Sequence, residues 1–470
     1  MAQSGVEMIF IYNSLTQKKE QLQPIEPGKI KLYVCGNTVY DHCHIGHART
    51  MVAFDSFVRY LRSEGYEVTY VHNITDIDDK IIKRANDNNE SIDDLTSRFI
   101  TAMHADEVSL MCEPPTLEPK ATEHMDQIID LIQVLVDKGY AYTTDSGDVN
   151  YSVHAFKDYG KLSNRDLEKL RSGARVDVDA SKADALDFVL WKKAKPDEPY
   201  WDSPWGPGRP GWHIECSAMS SHILGQPFDI HGGGVDLKFP HHENEIAQSE
   251  GACGKTLANM WMHVGHLQVN DVKMSKSLGN FFTIREVLNK HPAEIIRYFL
   301  LSSHYRSPVS YSEENLLHAK EALERVYLAM RDLPDPDDDI SEVGSEFKIK
   351  FQASLNDDFN TPEGFAVLFE MVRETNKLRD QHDLQAAANL MAVVRDLATP
   401  FAILQSDPME FLSGHMTTEE EEQINALVLA RDAARANKDW AEADRIRDEL
   451  AHLNIVLEDN DGTTSWRRKL

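Results

Sequence analysis

The sequence lacks the features that would place it in a membrane or outside the cell. Its 470 residues contain no apolar run long enough to span a bilayer, and its start, MAQSGVEMIF, lacks the basic segment and apolar stretch of a secretory signal. Cysteine is scarce: the five residues are an odd number and widely scattered, which favours a reducing cytoplasm over a disulfide framework. We therefore expect a cytoplasmic protein without a membrane partner.

An excess of positive charge is also missing. The 49 lysines and arginines face 77 aspartates and glutamates, which gives a net charge of -28. Bulk electrostatics therefore oppose binding to a polyanion, and any contact with nucleic acid would have to come from local basic patches. Hydrophobic residues make up 41% of the chain, which is enough for real cores, and a chain of this length should form several domains.

A histidine-rich segment between a predicted strand and a predicted helix is the first candidate site. The run IKLYVCG predicts a buried strand that ends at Gly36, and the apolar positions of residues 48–61 have helical spacing. Between them lies YDHCHIGHART. Because helix N-terminal amides attract phosphate, nucleotides bind at such places in open α/β sheets. His44 and His47 can present two imidazoles on one face toward phosphate oxygens.

The segment KMSKSLGNF, residues 273–281, supplies cations for the same purpose. Lys273 and Lys276 lie three apart in a loop flanked by serine and glycine, which suits a mobile lid over phosphates. Taken singly, clustered histidines at a turn are more often structural, and K-x-x-K is usually a solvated loop. Together and in this order, HIGH and KMSKS resemble the two signatures of class I aminoacyl-tRNA synthetases.

Three further segments narrow the resemblance to one family. LYVCGNTVYDHCHIGH, GRPGWHIECSAM and FDIHGGGVDLKFPHHENEIAQSE look like cysteinyl-tRNA synthetase, and the likeness runs through essentially the entire chain. It implies an ATP-dependent ligase that activates L-cysteine as cysteinyl-adenylate, with Mg²⁺ bound to ATP. The cysteinyl group would then pass to the 3′ end of tRNA(Cys). We expect a monomer.

The resemblance also implies the architecture, which is α/β. Residues 1–320 would form a Rossmann-like catalytic domain, with an insertion at about 114–210 and the KMSKS-loop region at about 265–320. The insertion is predicted to contain one helix, followed by a segment rich in loops. An α-helical bundle is expected at 321–410, and a small C-terminal α+β unit that binds the anticodon at 416–470.

Composition agrees with these divisions. The acidic segment DLPDPDDDISEVGSE and the polar segment SDPMEFLSGHMTTEEEE separate the last two regions from what precedes them. In NIVLEDNDGTTSW an Asp-Gly pair lies between strand-like runs and predicts a hairpin. Cations and tryptophans gather in this last unit, which would suit unstacked anticodon bases. The alternative is an ordinary solvated helical hairpin. The candidates are Arg431, Arg435, Lys438, Trp440, Arg445, Arg447, Trp466, Arg467, Arg468 and Lys469.

One zinc ion per chain is the cofactor that the resemblance implies. Cys35 ends the first predicted strand, Cys216 lies in WHIECSAM, and HHENE places His241 and Glu245 at i and i+4 on one helix face. Two thiolates, an imidazole and a carboxylate form a plausible zinc set. His242 and Glu245 are the alternative helical pair, and the family pattern favours His241. Without the resemblance, cysteines this far apart would be interpreted as buried small apolar residues.

A zinc ion would solve a problem of selectivity. Cysteine differs from serine by one atom, and an apolar pocket separates near-isosteres by only about 1–3 kcal/mol. Zinc can take the substrate thiolate as a direct ligand, which a serine hydroxyl at neutral pH matches poorly. The resemblance implies a fifth zinc position for the substrate sulfur. Discrimination on the order of 10⁴ would then need no editing domain.

The resemblance assigns the remaining site residues. Asp236 is suited to hold the substrate ammonium, and the alternative for Thr75 is a helix N-cap. The predicted catalytic residues are His44, His47, Lys273 and Lys276. The predicted ATP-binding residues are His44, Gly46, His47, Gly232, Gly233, Gly234 and Lys276. The predicted cysteine-binding residues are Gly36, Thr38, Thr75, Trp212, His231 and Asp236.

Two rival functions share parts of this pattern. A related cysteine:amino-sugar ligase would use the same activation chemistry but lacks a full anticodon unit, and the residues after about 415 argue against it. A non-catalytic zinc protein would have little use for both HIGH and KMSKS, which are intact here. The ligase that charges tRNA is therefore the favoured prediction.

Overall fold

A computed structural model describes most of the chain and divides it into two compact units. The first unit is Met1–Leu316 with Ile349–Phe365, and the second is Leu317–Lys348 with Ala366–Leu470. Among the described residues, no helix combines the length and the apolar composition that crossing a bilayer requires. The described residues are 8–165, 182–269, 272–273, 281–413, 418–453, 455–460 and 463–468.

A four-stranded parallel sheet forms the centre of the first unit. Its strand order is β10-β9-β3-β4, and the predicted α/β class with a parallel sheet is confirmed. Because parallel strands end at one edge of the sheet, the residues that follow them are brought together. The strands are β3 (Lys29–Val34), β4 (Glu67–His72), β9 (Phe228–Gly234) and β10 (Ala258–Val264).

Helices connect these strands, and the first of them carries the histidine signature. The helix α1 begins at Ile45 because His44 and His47 form a reciprocal capping box at its N-terminus. Its apolar residues, among them Phe54 and Phe57, are buried against the unit's core. The helices of this region are α1 (Ile45–Ser63), α2 (Asp79–Asn88), α3 (Ile92–Ser109), α4 (Met125–Asp137), α5 (Trp212–Leu224) and α6 (His241–Cys253).

The segment predicted as an insertion contains an antiparallel sheet as well as the helix α4. The prediction of a loop-rich remainder is wrong, because four short strands pair in the order β5-β6-β7-β8. Three of them have only three residues, too few for a readable alternation of apolar and polar positions. They are β5 (Ala141–Thr143), β6 (Val149–Tyr151), β7 (Phe188–Lys193) and β8 (Gly208–Pro210).

Two smaller sheets and three helices complete the first unit. An N-terminal hairpin joins β1 (Phe10–Asn13) to β2 (Lys18–Gln21). After β10 the chain forms a three-stranded sheet in the order β12-β11-β13. Its strands are β11 (Leu267–Val269), β12 (Val272–Lys273) and β13 (Val309–Tyr311), and the helices are α7 (Ile284–Leu288), α8 (Ala293–Leu301) and α10 (Ser345–Asn356), whose start belongs to the second unit.

In its described residues the second unit is helical apart from one hairpin near its end. The predicted hairpin is confirmed, with Asn460 opposite Thr463, although its Asp-Gly pair lies outside the described residues. A small apolar cluster that includes Ile424, Ile446 and Leu450 packs this last part. The elements are α9 (Glu313–Met330), α11 (Thr361–Asp380), α12 (Leu384–Ala398), α13 (Pro408–Ser413), α14 (Thr418–Ala436), α15 (Trp440–His452), β14 (Ile455–Asn460) and β15 (Thr463–Arg468), and the first few residues of α9 and α11 belong to the first unit.

Candidate active site

A cavity of about 450 Å³ opens where the parallel strands end. Its wall includes Cys35 and Gly36 after β3, Gly234 at the end of β9 and Gly265 after β10. The volume lies within the range of small-molecule sites, and the position is the one at which α/β sheets bind ligands.

His44 and His47 border this cavity as a stacked pair. Their ring centroids are 3.6 Å apart, with 17° between the planes. The backbone N–H of His47 donates to Nδ1 of His44 at 3.3 Å, and the N–H of His44 donates to Nδ1 of His47 at 3.2 Å. Because each Nδ1 accepts, a neutral ring carries its proton on Nε2. At the start of a helix this tautomer is suited to donate to a phosphate oxygen.

Gly36 lies against the backbone that follows the neighbouring strand. Its N–H donates to Oδ1 of Asn73 at 2.9 Å. A Cβ atom at Gly36 would lie 1.6 Å from the carbonyl oxygen of Asn73, a contact that no side-chain rotation can relieve. Asn73 is fully buried, and its Oδ1 also lies 3.5 Å from Sγ of Cys216. One amide therefore positions the strand end and one cysteine together.

Gly36→Ala should destabilise the protein by about 1–3 kcal/mol or more, because the added methyl group must displace a backbone carbonyl in a packed region. Urea unfolding followed by circular dichroism measures the change. Gly364→Ala is the matched control, because a Cβ there meets only ordinary contacts, starting at 3.4 Å, and alanine favours a helix. Equal unfolding free energies for the two variants would contradict the steric argument.

Four side chains that can ligate a metal converge beside the cavity. Cys35, Cys216, His241 and Glu245 are buried, and their ligand atoms all lie within 4.8 Å of one another. Sγ of Cys35 lies 3.3 Å from Oε1 of Glu245, and Nε2 of His241 lies 3.1 Å from the same oxygen. Cys35 also lines the cavity, so the cluster borders it directly.

Neighbouring histidines hold two of these side chains in place. Nδ1 of His241 lies 2.9 Å from Nδ1 of His213, which leaves Nε2 of His241 directed to Glu245. Nε2 of His231 lies 2.8 Å from Oε2 of Glu245. Partners of this kind fix the orientation of a metal ligand.

The alternative histidine is also close. Cys35, His231, His242 and Glu245 form a second group within the same distance limit. However, Nδ1 of His242 lies 2.9 Å from Nε2 of His263, and its Nε2 is 3.9 Å from Oε1 of Glu245. The first group contains two sulfurs, and the second contains one.

The pKa values in the cluster differ between the two thiols. A hydrogen bond from Cys35 is the largest cause that lowers the pKa of Cys216 to about 6, whereas burial raises the pKa of Cys35 well above its usual range. Burial opposes the ionisation of Glu245. The charges of His231 and His241 outweigh it and hold the pKa of Glu245 well below its usual range. A thiolate and a carboxylate are therefore favoured side by side, which only a cation or hydrogen-bond donors can compensate.

Comparison with known proteins gives the family. The profile of the tRNA synthetases class I (C) catalytic domain matches residues 21–321, the DALR domain profile matches 350–405, and the cysteinyl-tRNA ligase anticodon binding domain profile matches 417–467. Cysteine–tRNA ligase of Pseudomonas fluorescens (strain SBW25) is 58% identical over 98% of this chain and 99% of its own length. The chain belongs to the cysteine–tRNA ligase family.

Other comparisons agree. Cysteine–tRNA ligase of Coxiella burnetii (strain RSA 493 / Nine Mile phase I) is 58% identical over 98% of this chain and 99% of its own length. The structure of Mycobacterium tuberculosis methionyl-tRNA synthetase in complex with methionyl-adenylate superposes with a TM-score of 0.61. It covers 79% of this chain and 91% of that one at 14% identity, which shows the class I fold alone.

In this member of the cysteine–tRNA ligase family, three predicted cysteine-binding residues line the cavity besides Gly36. They are Thr38, Trp212 and Asp236. Two others lie behind the wall. Thr75 is buried and its hydroxyl donates to Oε2 of Glu215 at 3.1 Å, and His231 is buried against Glu245.

The predicted ATP-binding glycines differ in their surroundings. Gly46 and Gly234 line the cavity, and a Cβ on Gly234 would lie 2.5 Å from Oδ1 of Asp236. Gly232 instead faces α1, where a Cβ would meet the ring of Phe54 at 2.4 Å, and Gly233 faces His242. Packing alone thus requires Gly232, and its role toward ATP stays a prediction.

Of the predicted lysines, the structure describes only the backbone of Lys273, which lies in β12 opposite Gln268. Lys276 lies outside the described residues.

Several cavity residues of this ligase family member were missed by sequence reasoning. Lys80 at the start of α2, Met103 on α3 and His266 after β10 all line the wall. A signal existed for His266, because the pair Gly265-His266 follows a buried apolar run in the same way as Cys35-Gly36 does. The helix residues carried no comparable signal, since the position of Met103 is typical of an ordinary core residue of a helix.

Proposed function

We propose that the cavity catalyses both steps of tRNA charging with cysteine, using the predicted residues in the roles below. The chain is an ATP-dependent ligase of the cysteine–tRNA ligase family. The convergence of two cysteines, a histidine and a glutamate beside a cavity bordered by a histidine pair carries the proposal. It joins a means of recognising a thiol to a means of binding phosphate.

Zinc is the proposed metal, held by Cys35, Cys216, His241 and Glu245. The donor set fits, because two sulfurs and an imidazole suit zinc better than magnesium or calcium, and all four donors are buried and close. When bound, zinc would supply a Lewis-acidic centre that takes a thiolate sulfur in preference to a hydroxyl. The second possible group has a single sulfur and is the weaker candidate.

For cysteine, the proposed contacts are those of the cavity wall. Asp236, which lines the cavity, would pair with the substrate ammonium, while Gly36 and Thr38 would contact the substrate backbone and Trp212 would cover it. Thr75 and His231 would act through their neighbours, because their hydrogen bonds run to Glu215 and Glu245.

For ATP, the proposed contacts are at the start of α1 and the end of β9. His44, Gly46 and His47 would bind the phosphates, together with Mg²⁺, and the glycines 232–234 would border the adenosine. Lys273 and Lys276 would neutralise the charge that develops on the phosphates. Their arrangement with the histidines is a prediction from the sequence.

The reaction then needs no covalent enzyme intermediate. The cysteine carboxylate attacks the α-phosphorus of ATP, the bond between the α and β phosphates breaks, and pyrophosphate leaves. The terminal ribose hydroxyl of tRNA attacks the acyl carbon next, and AMP leaves. Residues of the cavity position the reactants and donate hydrogen bonds to the phosphate oxygens.

Domain limits, cellular compartment and oligomeric state complete the proposal. The catalytic domain would end near residue 320, the helical bundle would occupy 321–410 and the anticodon unit 416–470. Free cysteines, all five of them in the described part of the chain, support a reducing cytoplasm. A monomer is the expected state.

Pyrophosphate exchange tests the proposal directly. Incorporation of labelled pyrophosphate into ATP should require L-cysteine, and serine should support at most about 10⁻⁴ of that rate. Exchange that needs no amino acid, or that serine supports equally, would exclude the proposed selection by a metal-bound thiolate.

The C-terminal unit should serve tRNA charging without serving cysteine activation. Trp440, the first residue of its last helix α15, is 61% exposed to solvent. Trp466, by contrast, donates to Oδ1 of Asn425 at 2.8 Å. Arg445 and Arg447 form ion pairs with acids of their own helix. Exposed pairs are weak, so phosphates can replace these partners at small cost.

Deleting residues 416–470 should therefore leave cysteine-dependent pyrophosphate exchange nearly intact and sharply weaken charging of full-length tRNA. Trp440→Ala should reproduce part of the loss in the full chain, because an exposed ring can stack on a base for about 1–3 kcal/mol. Leu429→Ala, which removes another exposed apolar side chain of this unit, is the control. The loss on deletion should be smaller for a minihelix without an anticodon. Undiminished charging of full-length tRNA by the folded truncated chain would refute the anticodon role.

A further inference from the structure

A third group of side chains that can ligate a metal contains no cysteine. His104 and Glu107 lie one turn apart on α3, and Glu118 lies in the segment that leads to α4. Their ligand atoms all lie within 4.8 Å of one another, and Nε2 of His104 lies 2.8 Å from Oε2 of Glu118. The side chain of His104 is 45% exposed, so the group can be reached from solvent.

Hydrogen bonds and an ion pair hold the backbone around His104, Glu107 and Glu118 on both sides. Residues 116–121 run beside the edge strand β4: the N–H of Thr116 donates to the carbonyl of Tyr70 at 2.8 Å, and the N–H of His72 donates to that of Leu117 at 3.1 Å. On the other side, Asp106 of α3 pairs with Arg285 at 2.9 Å. Three ligands on two fixed elements form a preorganised set.

In the part of the chain that the structure describes, one carboxylate of this group has no partner, and the other has only His104. Among the described residues, Glu107 makes no side-chain hydrogen bond and no ion pair, and Oε1 of Glu118 is inaccessible to solvent without a hydrogen-bond partner. Two buried or half-buried carboxyl groups that share a single donor are costly to a fold unless something else binds them.

We propose that His104, Glu107 and Glu118 bind one divalent metal ion. This ion is additional to the one proposed for the cluster of Cys35 and Cys216. One imidazole and two carboxylates form a harder donor set than the cluster of Cys35 and Cys216. Mn²⁺ and Zn²⁺ suit such a set, with water completing the coordination. The ion ties α3 to the segment beside β4.

Such an ion would act on a wall of the cavity. Phe99 and Met103, on the same helix as His104, line the cavity, as does His72 at the end of β4. Fixing α3 against the sheet edge would restrict the movement of this wall. The ion needs no contact with cysteine or ATP for this effect.

Manganese titration of the full chain tests the proposal. The chain is first given one equivalent of zinc, which the sulfur-containing cluster prefers over manganese. Free Mn²⁺ is then followed by its electron paramagnetic resonance signal, without ATP. We expect one Mn²⁺ per chain above diffuse binding, and a higher Tm when Mn²⁺ is added. Glu107→Gln and His104→Ala should each weaken this binding by more than about tenfold, because even changes outside a ligand shell typically cost about 10–100-fold.

The control is His291→Ala. It removes a histidine that lies 3.1 Å from Oε2 of Glu313 but does not belong to any group of three potential ligands in the described part of the chain. This variant should bind Mn²⁺ as the unaltered chain does. Cysteine-dependent pyrophosphate exchange should persist in all three variants, which shows that they are folded. Equal Mn²⁺ affinity in the unaltered chain, Glu107→Gln and His104→Ala would overturn the proposal. So would the absence of any Mn²⁺ bound more tightly than diffuse surface binding.

Discussion

Cys216→Ser should abolish both metal binding and the selection of cysteine. Cys216 is 2% exposed and its Sγ lies among the ligand atoms of the cluster. A serine hydroxyl does not ionise near neutral pH, so the variant loses a charged soft ligand. Changes outside a ligand shell already cost about 10–100-fold in metal affinity, and the loss of a ligand should exceed that. Discrimination between cysteine and serine should fall from about 10⁴ toward the 10–200-fold that an apolar pocket provides.

Metal content by elemental analysis, cysteine affinity and pyrophosphate exchange with cysteine or serine measure these effects. The matched control is Cys253→Ser, because Cys253 is exposed and lies outside both groups of ligands that include Cys35. It should keep about one zinc per chain and full exchange. A metal-free Cys216→Ser protein that still activates cysteine selectively would disprove the role of the metal.

His47→Asn should slow adenylate formation by about 10²–10³-fold, the loss expected for one transition-state donor. The asparagine Oδ1 can replace Nδ1 of His47 as the acceptor for the N–H of His44, so the start of α1 keeps its cap. No donor then remains at the position of Nε2. Cysteine affinity should barely change, because the imidazole is proposed to address phosphate.

His47→Gln separates the two functions of this side chain. Its amide reaches toward the position of Nε2 and should restore part of the rate, while the cap is weakened. Single-turnover adenylate formation and thermal unfolding, measured on both variants, distinguish these contributions. Equal rates for His47→Asn and the unaltered chain would show that the imidazole does not act on the phosphates.

The strand ends were predictable from the sequence because they follow from chain order. A buried apolar run that stops at Cys35-Gly36, followed by a helix start, predicts a parallel strand and a site at its end. The four parallel strands and α1 have this arrangement. The geometry also brings Cys35, Cys216, His241 and Glu245 together as the family resemblance implied.

Contacts between distant parts of the chain were not predictable. Asn73 accepts from Gly36 and lies beside Cys216, residues that are 37 and 143 positions away. No local pattern encodes such a contact. The family resemblance assigned Gly232 to ATP, but the nearest group to its absent Cβ is the ring of Phe54. The sequence shows where a glycine is present, but it does not show which neighbouring group leaves no room for a side chain there.

Helix periodicity could not choose between His241 and His242. Both are buried and lie on the same side of α6 as Glu245, which follows His241 by four residues and His242 by three. Their other neighbours distinguish them, since one contacts His213 and the other contacts His263. The antiparallel sheet β5–β8 escaped prediction for a related reason, because strands of three residues are stabilised by pairing rather than by their own pattern.

The four proposed zinc ligands come from the residue after β3, from α5 and from α6, and up to 210 residues separate them along the chain. An unfolded chain cannot hold these donors together, so the ion would bind the native state alone and oppose unfolding by mass action. At a free zinc concentration 1,000 times its dissociation constant, the gain would be about 4.1 kcal/mol, a large part of the stability of an ordinary domain. Zinc starvation of a cell would then lower the abundance of this enzyme through proteolysis of unfolded chains.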